Sequence, residues 1–277
     1  MKKDDTTCEI CNKKHWTKYN HKLVKCKNCG LIRANNTYSD KNLIDLYQHA
    51  YYFGEEYIDY INDRQSLEKN FKTRIDYLQK QGYLNTDSHV IEIGSAYGFF
   101  LNLIKNKCKS ATGFDITKEG VDYAKNNFQV DAICGDFLKY DGKKVDLICM
   151  WDVIEHLSVP GAFVKKISES LRPNGKLILT TGDIGSLLAK LQGNSWRMIH
   201  PPTHLFYFDK NSIRNLLKNN GLSVKSIRYT STYRNVGSVL SKLKLGFLVK
   251  ILSILNLQNK YFGVNTFDIM EVVAIKN

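Results

Sequence analysis

From residue 88 the chain alternates short apolar runs with helical stretches, and this alternation narrows the fold more than any other feature. The runs are HVIEIG (89–94), ATGFDI (111–116), DAICG (131–135), VDLICMW (145–151) and KLILTTG (176–182). Helical stretches fill 98–107, 118–127 and 160–171 between them. Strands alternating with helices build parallel βαβ units, so the pattern predicts an α/β chain with a doubly wound sheet. Asp209 reads as the N-cap of a helix over 210–219 that Gly221 ends. SVKSIRY (223–229) and DIMEVVAIK (268–276) read as two more strands. The stretch 236–257 has helical apolar spacing, with Lys242, Lys244 and Lys250 interspersed.

The segments before residue 85 follow different rules. Cys8-x2-Cys11 and Cys26-x2-Cys29 are separated by 14 residues. Two such turns can place four thiolates around a zinc ion, which supplies the core that so short a segment lacks. Four thiolates leave no open position, so the expected zinc is structural, and His15 and His21 between the pairs are bystanders. Residues 40–81 read as helical, with Phe71, Ile75 and Leu78 near a 3.6 period and Gly82 as the stop. Tyr47, Tyr51, Tyr52, Tyr57 and Tyr60 cluster there; Tyr51 and Tyr52 are candidate substrate contacts on a lid. The expected organisation is therefore a zinc ribbon at 1–34, a helical tyrosine-rich linker or lid at 35–84, and the main domain at 85–277. That domain carries a helical insertion at about 236–260. Cys108, Cys134 and Cys149 fall in helix or strand patterns and read as core thiols.

No apolar run approaches the roughly 20 residues needed to span a bilayer. The start MKKDDTTCEICNKK has no apolar h-region. The expectation is a soluble cytoplasmic protein. Net charge is +13, and residues 184–267 hold 12 basic residues against one acid, Asp209. That stretch is either a solvated face or a surface for phosphates, whether on a nucleotide, an anionic membrane or nucleic acid.

The first run of the main domain ends in Glu92-Ile93-Gly94-Ser95-Ala96-Tyr97-Gly98. Its glycines allow backbone N–H groups to approach a ligand closely. No Gly-Lys-Ser/Thr follows, and the spacing is not G-x-G-x-x-G, so neither a P-loop nor the dinucleotide fingerprint is present. Asp115 ends the second run, where a carboxylate can accept ribose hydroxyls, and Asp136 ends the third, where it can accept from an adenine amino group. Carboxylates at three consecutive strand ends suit a nucleoside better than a pyrophosphate.

VIEIGSAYG, GFD, GDF, DLICMWDVIEHL and RPNGKLILT together resemble the class I S-adenosylmethionine-dependent methyltransferases, over about residues 85–277. The segment from Asp152 to Leu157 is similar to the branch containing ubiquinone-biosynthesis and glycan-modifying enzymes. The resemblance implies a Rossmann-like sheet of seven strands, the last antiparallel. It implies S-adenosylmethionine held by Glu92, Gly94, Ser95, Ala96, Gly98, Asp115, Ile116, Asp136, Phe137 and Trp151. Ala96 departs from the family, which usually has glycine there.

His200-Pro-Pro-Thr203-His204-Leu-Phe-Tyr207 resembles a segment of deoxysugar C-methyltransferases that also carry an N-terminal four-cysteine zinc module. Those enzymes have Glu-His where this chain has Thr203-His204, so O-methylation of a sugar is expected at least as strongly as C-methylation. A hydroxyl nucleophile benefits from a histidine base. His204 on the substrate-side loop is the first candidate and His156 after the fourth strand the second. Trp196, Arg197, His200 and Tyr207 are candidate acceptor contacts, Arg197 through bidentate binding of a phosphate. The expected acceptor is a small molecule, or a sugar linked to a nucleotide or lipid, with peripheral contact to an anionic membrane open. An RNA methyltransferase with a zinc-ribbon RNA-binding module is the competing enzyme reading. A ribbon with few aromatics disfavours it, and with it nucleic acid as partner. A non-catalytic zinc-ribbon adaptor is the third reading, opposed by the three carboxylates.

Overall fold

The alternating runs assemble as their pattern requires. A computed structural model describes residues 7–35, 61, 63–236 and 260–277. Strands β1 (Trp16–Lys18), β2 (Leu23–Cys26) and β3 (Ile32–Ala34) come first, followed by helix α1 (Arg64–Lys80). Then come β4 (His89–Ile93), α2 (Phe99–Ile104), β5 (Ser110–Asp115), α3 (Lys118–Phe128), β6 (Asp131–Cys134), β7 (Val145–Trp151), α4 (Pro160–Ser170) and β8 (Leu171–Gly182). The chain ends with α5 (Leu187–Gln192), β9 (Phe206–Tyr207), α6 (Lys210–Asn219), β10 (Leu222–Tyr229), β11 (Thr232–Asn235), β12 (Tyr261–Val264) and β13 (Ile269–Lys276).

The central sheet has seven strands in the order β10-β13-β8-β7-β4-β5-β6. Neighbours from β8 through β6 are parallel, and the final strand β13 runs antiparallel to both β8 and β10. Side chains alternate across a strand, so each strand feeds two cores. Along β7, Ile148 and Met150 join Ile91, Leu177 and Leu179 on one face. Leu147, Cys149 and Trp151 join Val90, Ile178, Phe71 and Phe100 on the other. Burial on both faces is why this strand reads as an unbroken apolar run.

Helix α1 buries Phe71, Ile75 and Leu78, the stripe its sequence predicts. Helix α6 begins with a capping box: Ser212 N–H donates to Asp209, and the Ser212 side chain returns to the Asp209 backbone. Cys149 is buried, but Cys134 is exposed, so its reading as a core thiol is corrected: it ends edge strand β6, where only one side has a neighbour.

The segment expected as a ribbon at 1–34 shares a sheet with the main domain. Strands β1, β2 and β3 form a sheet whose fourth strand is β9, from the main domain. Ile32 pairs with Tyr207 and Arg33 with Phe206. Two strands absent from the sequence reading, β11 and β12, form an antiparallel hairpin around the insertion and meet α1 where Tyr233 N–H donates to Asn70 Oδ1 at 2.6 Å. The tyrosines at 47–60, including Tyr51 and Tyr52, lie outside the described residues, as does the expected helix beyond residue 236 with Lys242, Lys244 and Lys250. Among the described residues no helix is long and apolar enough to cross a membrane.

Candidate active site

The C-terminal ends of β4, β5, β6 and β7 open onto one cleft. Gly94, Ala96, Asp115, Ile116, Asp136, Phe137, Trp151 and His156 all line it. The turn after β4 has the tight geometry its glycines predict. Gly94 and Gly98 have φ of 76° and 75°. A Cβ on Gly94 would stand 2.4 Å from Val153 Cγ2, and one on Gly98 would stand 2.6 Å from Ala124 Cβ. Neither position tolerates a side chain. Ala96 lies between them with φ 44°, in the left-handed region that disfavours a Cβ. Ala96→Gly should therefore raise stability by roughly 0.5–1 kcal/mol, read as a higher denaturant midpoint with unchanged slope.

Asp115 is the structural hinge of this turn. Its Oδ2 accepts from Ala96 N–H at 2.7 Å, and its Oδ1 accepts from the Thr117 N–H at 2.8 Å and hydroxyl at 2.6 Å. Burial raises its pKa, and those donors oppose the rise. Each carboxylate oxygen can accept more than one hydrogen bond, so capacity for a ribose remains. Asp136 Oδ1 accepts from Leu138 N–H at 2.9 Å, so it caps a short turn as well as lining the cleft. Phe137 stacks on Tyr140 at 5.6 Å and meets Phe114 edge-on at 5.4 Å, which sets an aromatic wall.

Glu92, inside β4, is 2% exposed. Burial, then the Asp115 charge, pushes its pKa well above the usual carboxylate range, while Arg74 pulls it down. Ser95 corrects the sequence assignment. Its hydroxyl lies against Gly113 and its N–H donates to Phe114 O, so it braces the turn from behind. Gly98 likewise shapes the turn and starts α2.

Arg74 was not legible as a site residue. Helix α1 carries its guanidinium 4.7 Å from the Trp151 ring and 3.7 Å from Asp152. The only sequence signal was an arginine three residues after Phe71, flanking the buried stripe of an amphipathic helix. Buried side-chain atoms at Glu92 Oε2, Trp151 Nε1 and Asp152 Oδ1 have no hydrogen-bond partner among the described residues. Unpartnered polar atoms beside a cleft cost stability unless a ligand completes them. This residual polarity, with the aromatic wall and Asp115, fits a nucleoside with an amino-acid tail.

The histidines form a cluster beside the cleft. His156 lines it, His204 packs edge-on at 4.6 Å, and His200 lies 3.9 Å from His204, centroid to centroid. His156 Nδ1 lies 2.8 Å from Thr203 O, and His204 Nδ1–H donates to Met198 O at 2.9 Å. A carbonyl can only accept, so the Met198 bond places the proton of neutral His204 on Nδ1, while His156 meets the backbone carbonyls of both Thr203 and Asp152. Thr203, which stands where the resembling sugar enzymes have glutamate, anchors two rings: its hydroxyl accepts from His200 Nδ1–H at 2.5 Å. Donor atoms of Glu155, His156 and His204 all lie within 4.8 Å of one another, a spacing that could hold a metal ion.

Burial lowers His156 to about 4 and holds His204 well below 6.5. Both rings are neutral near pH 7, the state a proton acceptor needs. A linkage follows. Above pH 6.5 folded and unfolded chains both carry neutral rings. Between 6.5 and about 4 the unfolded chain binds protons that the folded chain refuses, so stability falls as pH falls. Melting curves from pH 7.5 to 4.5 should show this loss, and His156→Gln should flatten it.

Three acceptor candidates have partners within the protein. Trp196 is 2% exposed, and its indole N–H donates to Asp268 Oδ2, within a core containing Leu23, Ile32 and Tyr207. Arg197 forms an ion pair with Asp268 at 2.8 Å, so its charge is already matched. Tyr207 is 4% exposed, and its hydroxyl donates to His204 O at 3.0 Å. They support the histidine loop from behind. The other predicted centre does assemble: the Sγ atoms of Cys8, Cys11, Cys26 and Cys29 lie within 4.8 Å of one another, with Cys8–Cys29 at 3.4 Å and Cys11–Cys26 at 3.5 Å. A tetrahedral zinc with bonds of about 2.3 Å puts sulfurs about 3.8 Å apart, so the donor set fits.

Residues 60–227 match the profile of a family described as a methyltransferase domain. The ubiquinone biosynthesis O-methyltransferase of Coxiella burnetii is 26% identical over 115 residues, covering 39% of this chain and 49% of that protein. The mitochondrial ubiquinone biosynthesis O-methyltransferase of Schizosaccharomyces pombe is 23% identical over 175 residues, covering 56% and 64%. The chain thus spans about half to just under two thirds of the length of these relatives. Among solved structures, the magnesium protoporphyrin IX methyltransferase of Synechocystis PCC 6803 with bound SAH shares the fold. Its TM-score is 0.57 at 16% identity, covering 86% of this chain and 100% of that one. A putative sarcosine dimethylglycine methyltransferase from Galdieria sulphuraria gives 0.54 at 15% identity, covering 76% and 86%. The order of the central sheet, its antiparallel last strand and the match over residues 60–227 agree: the chain belongs to the methyltransferase-domain family, with the fold of the class I S-adenosylmethionine-dependent methyltransferases.

Proposed function

We propose that the protein methylates a hydroxyl oxygen of a sugar or glycan precursor, using S-adenosylmethionine as the methyl donor. The observation that carries this reading is the buried histidine pair at the cleft, His156 lining it and His204 packed edge-on against it at 4.6 Å. S-adenosylmethionine, when bound, supplies an electrophilic methyl group. The chain does the rest. Asp115 and the aromatic wall around Phe137 hold the nucleoside. Arg74 and the unpartnered atoms of Trp151 and Asp152 receive the amino-acid tail. One ring of the His156–His204 pair takes the acceptor hydroxyl proton onto its unprotonated nitrogen as the new O–CH3 bond forms, and the other holds it in place.

The sugar acceptor draws support from the resemblance of residues 200–207 and from the four-cysteine module. The basic excess of residues 184–267 suits an acceptor joined to a nucleoside diphosphate or a lipid diphosphate. The test is transfer of isotopically labelled methyl to nucleotide-linked hexoses, lipid-linked sugars, ring-hydroxyl quinone precursors and ribosomal RNA. An O-methyl sugar product supports the proposal. Label confined to the phenol or the RNA overturns the sugar assignment, and a carbon-bound methyl replaces O-methylation with C-methylation. Absence of both turnover and cofactor binding favours the adaptor.

The cysteine cluster is proposed as a structural zinc site. Elemental analysis should find one zinc per chain in protein purified without chelator. Cys8→Ser should lower the melting temperature while the fraction that stays folded binds cofactor normally. Zinc-free, fully stable protein would overturn the site.

A further inference from the structure

The four-cysteine segment docks on the main domain at places that matter to the histidines. Strand β9 is two residues long, and β3 is its only strand partner among the described residues. A strand so short has no stability of its own and takes its position from the edge that pairs it. Ala34 N–H donates to Leu205 O at 2.8 Å, and on the other side Leu205 N–H donates to Glu155 O at 2.8 Å. The residue after His204 is thus pinned between the cysteine segment and the turn that carries Glu155 and His156. In register with Ile32, Tyr207 packs against it and donates its hydroxyl to His204 O.

The edge that holds β9 is itself clamped. Cys26 ends β2 and Cys29 precedes β3, so the four-cysteine cluster ties together the turn from which β3 emerges. Two further contacts seat the segment: Gly161 N–H donates to Glu9 Oε2 at 3.1 Å at the start of α4, and Asn219 Nδ2 donates to Ile10 O at 2.8 Å on α6. The site of Glu9 is tight, since a Cβ on Gly161 would come within 2.9 Å of its carboxylate.

We infer that the cysteine segment is a positioning element of the active site: strand β3, through β9, sets the place of His204 beside His156, and Ile32 and Ala34 are its positioning residues. This rests on the reading of the histidine pair as proton acceptor, but its structural half can be measured without turnover. No described residue of the segment lines the cofactor cleft. Loosening β3 should therefore slow turnover and leave cofactor affinity alone.

The experiment uses the full chain with Ile32→Ala, Ile32→Val and wild type. Hydrogen exchange at the amides of Leu205–Phe208 is followed by mass spectrometry, cofactor affinity by calorimetry and kcat on the acceptor found above. Ile32→Ala should raise exchange at Leu205–Phe208 at least tenfold and lower kcat by tenfold or more, with cofactor Kd within twofold of wild type. Ile32→Val should restore both. Chelator treatment of folded wild type should raise exchange in the same four residues. If Ile32→Ala leaves exchange at Leu205–Phe208 unchanged, or if cofactor affinity falls in step with kcat, the positioning role is overturned. If exchange rises as expected but kcat is unaffected, the strand coupling stands and the histidine pair loses its catalytic assignment.

Discussion

His204→Gln and His156→Gln should each lower kcat by roughly 100-fold or more, and the double variant should be little worse than either alone. The expectation follows from geometry. The two rings meet edge-on at 4.6 Å, and each has its Nδ1 against a carbonyl, at Met198 for His204 and at Thr203 for His156. Groups that move one proton as a unit lose that function together, so their effects do not add. Glutamine keeps a donor near Nδ1 but offers no basic nitrogen. The two variants should differ in one respect. His156 lines the cofactor cleft, so its replacement should also weaken cofactor binding. His204 is 2% exposed and does not line the cleft, so its variant should bind cofactor normally. A His204 variant with wild-type turnover would leave His156 as the sole base, and the converse would leave His204.

Asp115→Ala should weaken cofactor binding by about 1.5–3 kcal/mol, the worth of hydrogen bonds to a charged group. That corresponds to roughly 10- to 150-fold in Kd. Two losses combine. The ribose loses an acceptor, and the Ala96 and Thr117 donors lose theirs. Asp115→Asn separates them, because an amide keeps one acceptor oxygen at nearly the same volume. It should fall between wild type and alanine. Calorimetry giving wild-type affinity for Asp115→Ala would remove this residue from the cofactor site.

Much of the site was legible because it lies at strand ends. Once the chain is read as parallel βαβ units, Gly94, Asp115, Asp136 and Trp151 must gather at one edge of the sheet, and they do. Residues brought in from other elements were not legible. Arg74 sits on α1, about twenty positions before Gly94, and only the packing of Phe71 against Phe100 and Trp151 turns it to the cleft. Trp196 and Tyr207 illustrate the opposite failure. Large aromatics near a functional loop look like pocket walls in sequence, yet an indole or phenol is as readily spent on a core when its polar tip finds a partner. Asp268 provides that partner for Trp196, and the carbonyl of His204 provides it for Tyr207.

The sequence by itself determined the elements that depend on local periodicity: the seven central strands, the α1 stripe, the Asp209 cap, the glycine turn and the paired cysteines. Each is written in neighbouring residues, through alternation, helical spacing or a backbone conformation that few residues adopt. Only the tertiary structure decided that β9 leaves the main domain to complete the sheet of the cysteine segment. Pairing between residues 32 and 207 carries no local signature, because a two-residue strand has too little pattern to specify its partner. The same holds for the tautomer of His204. A histidine's type is in the sequence, but which nitrogen is basic depends on the carbonyls that the fold brings to it.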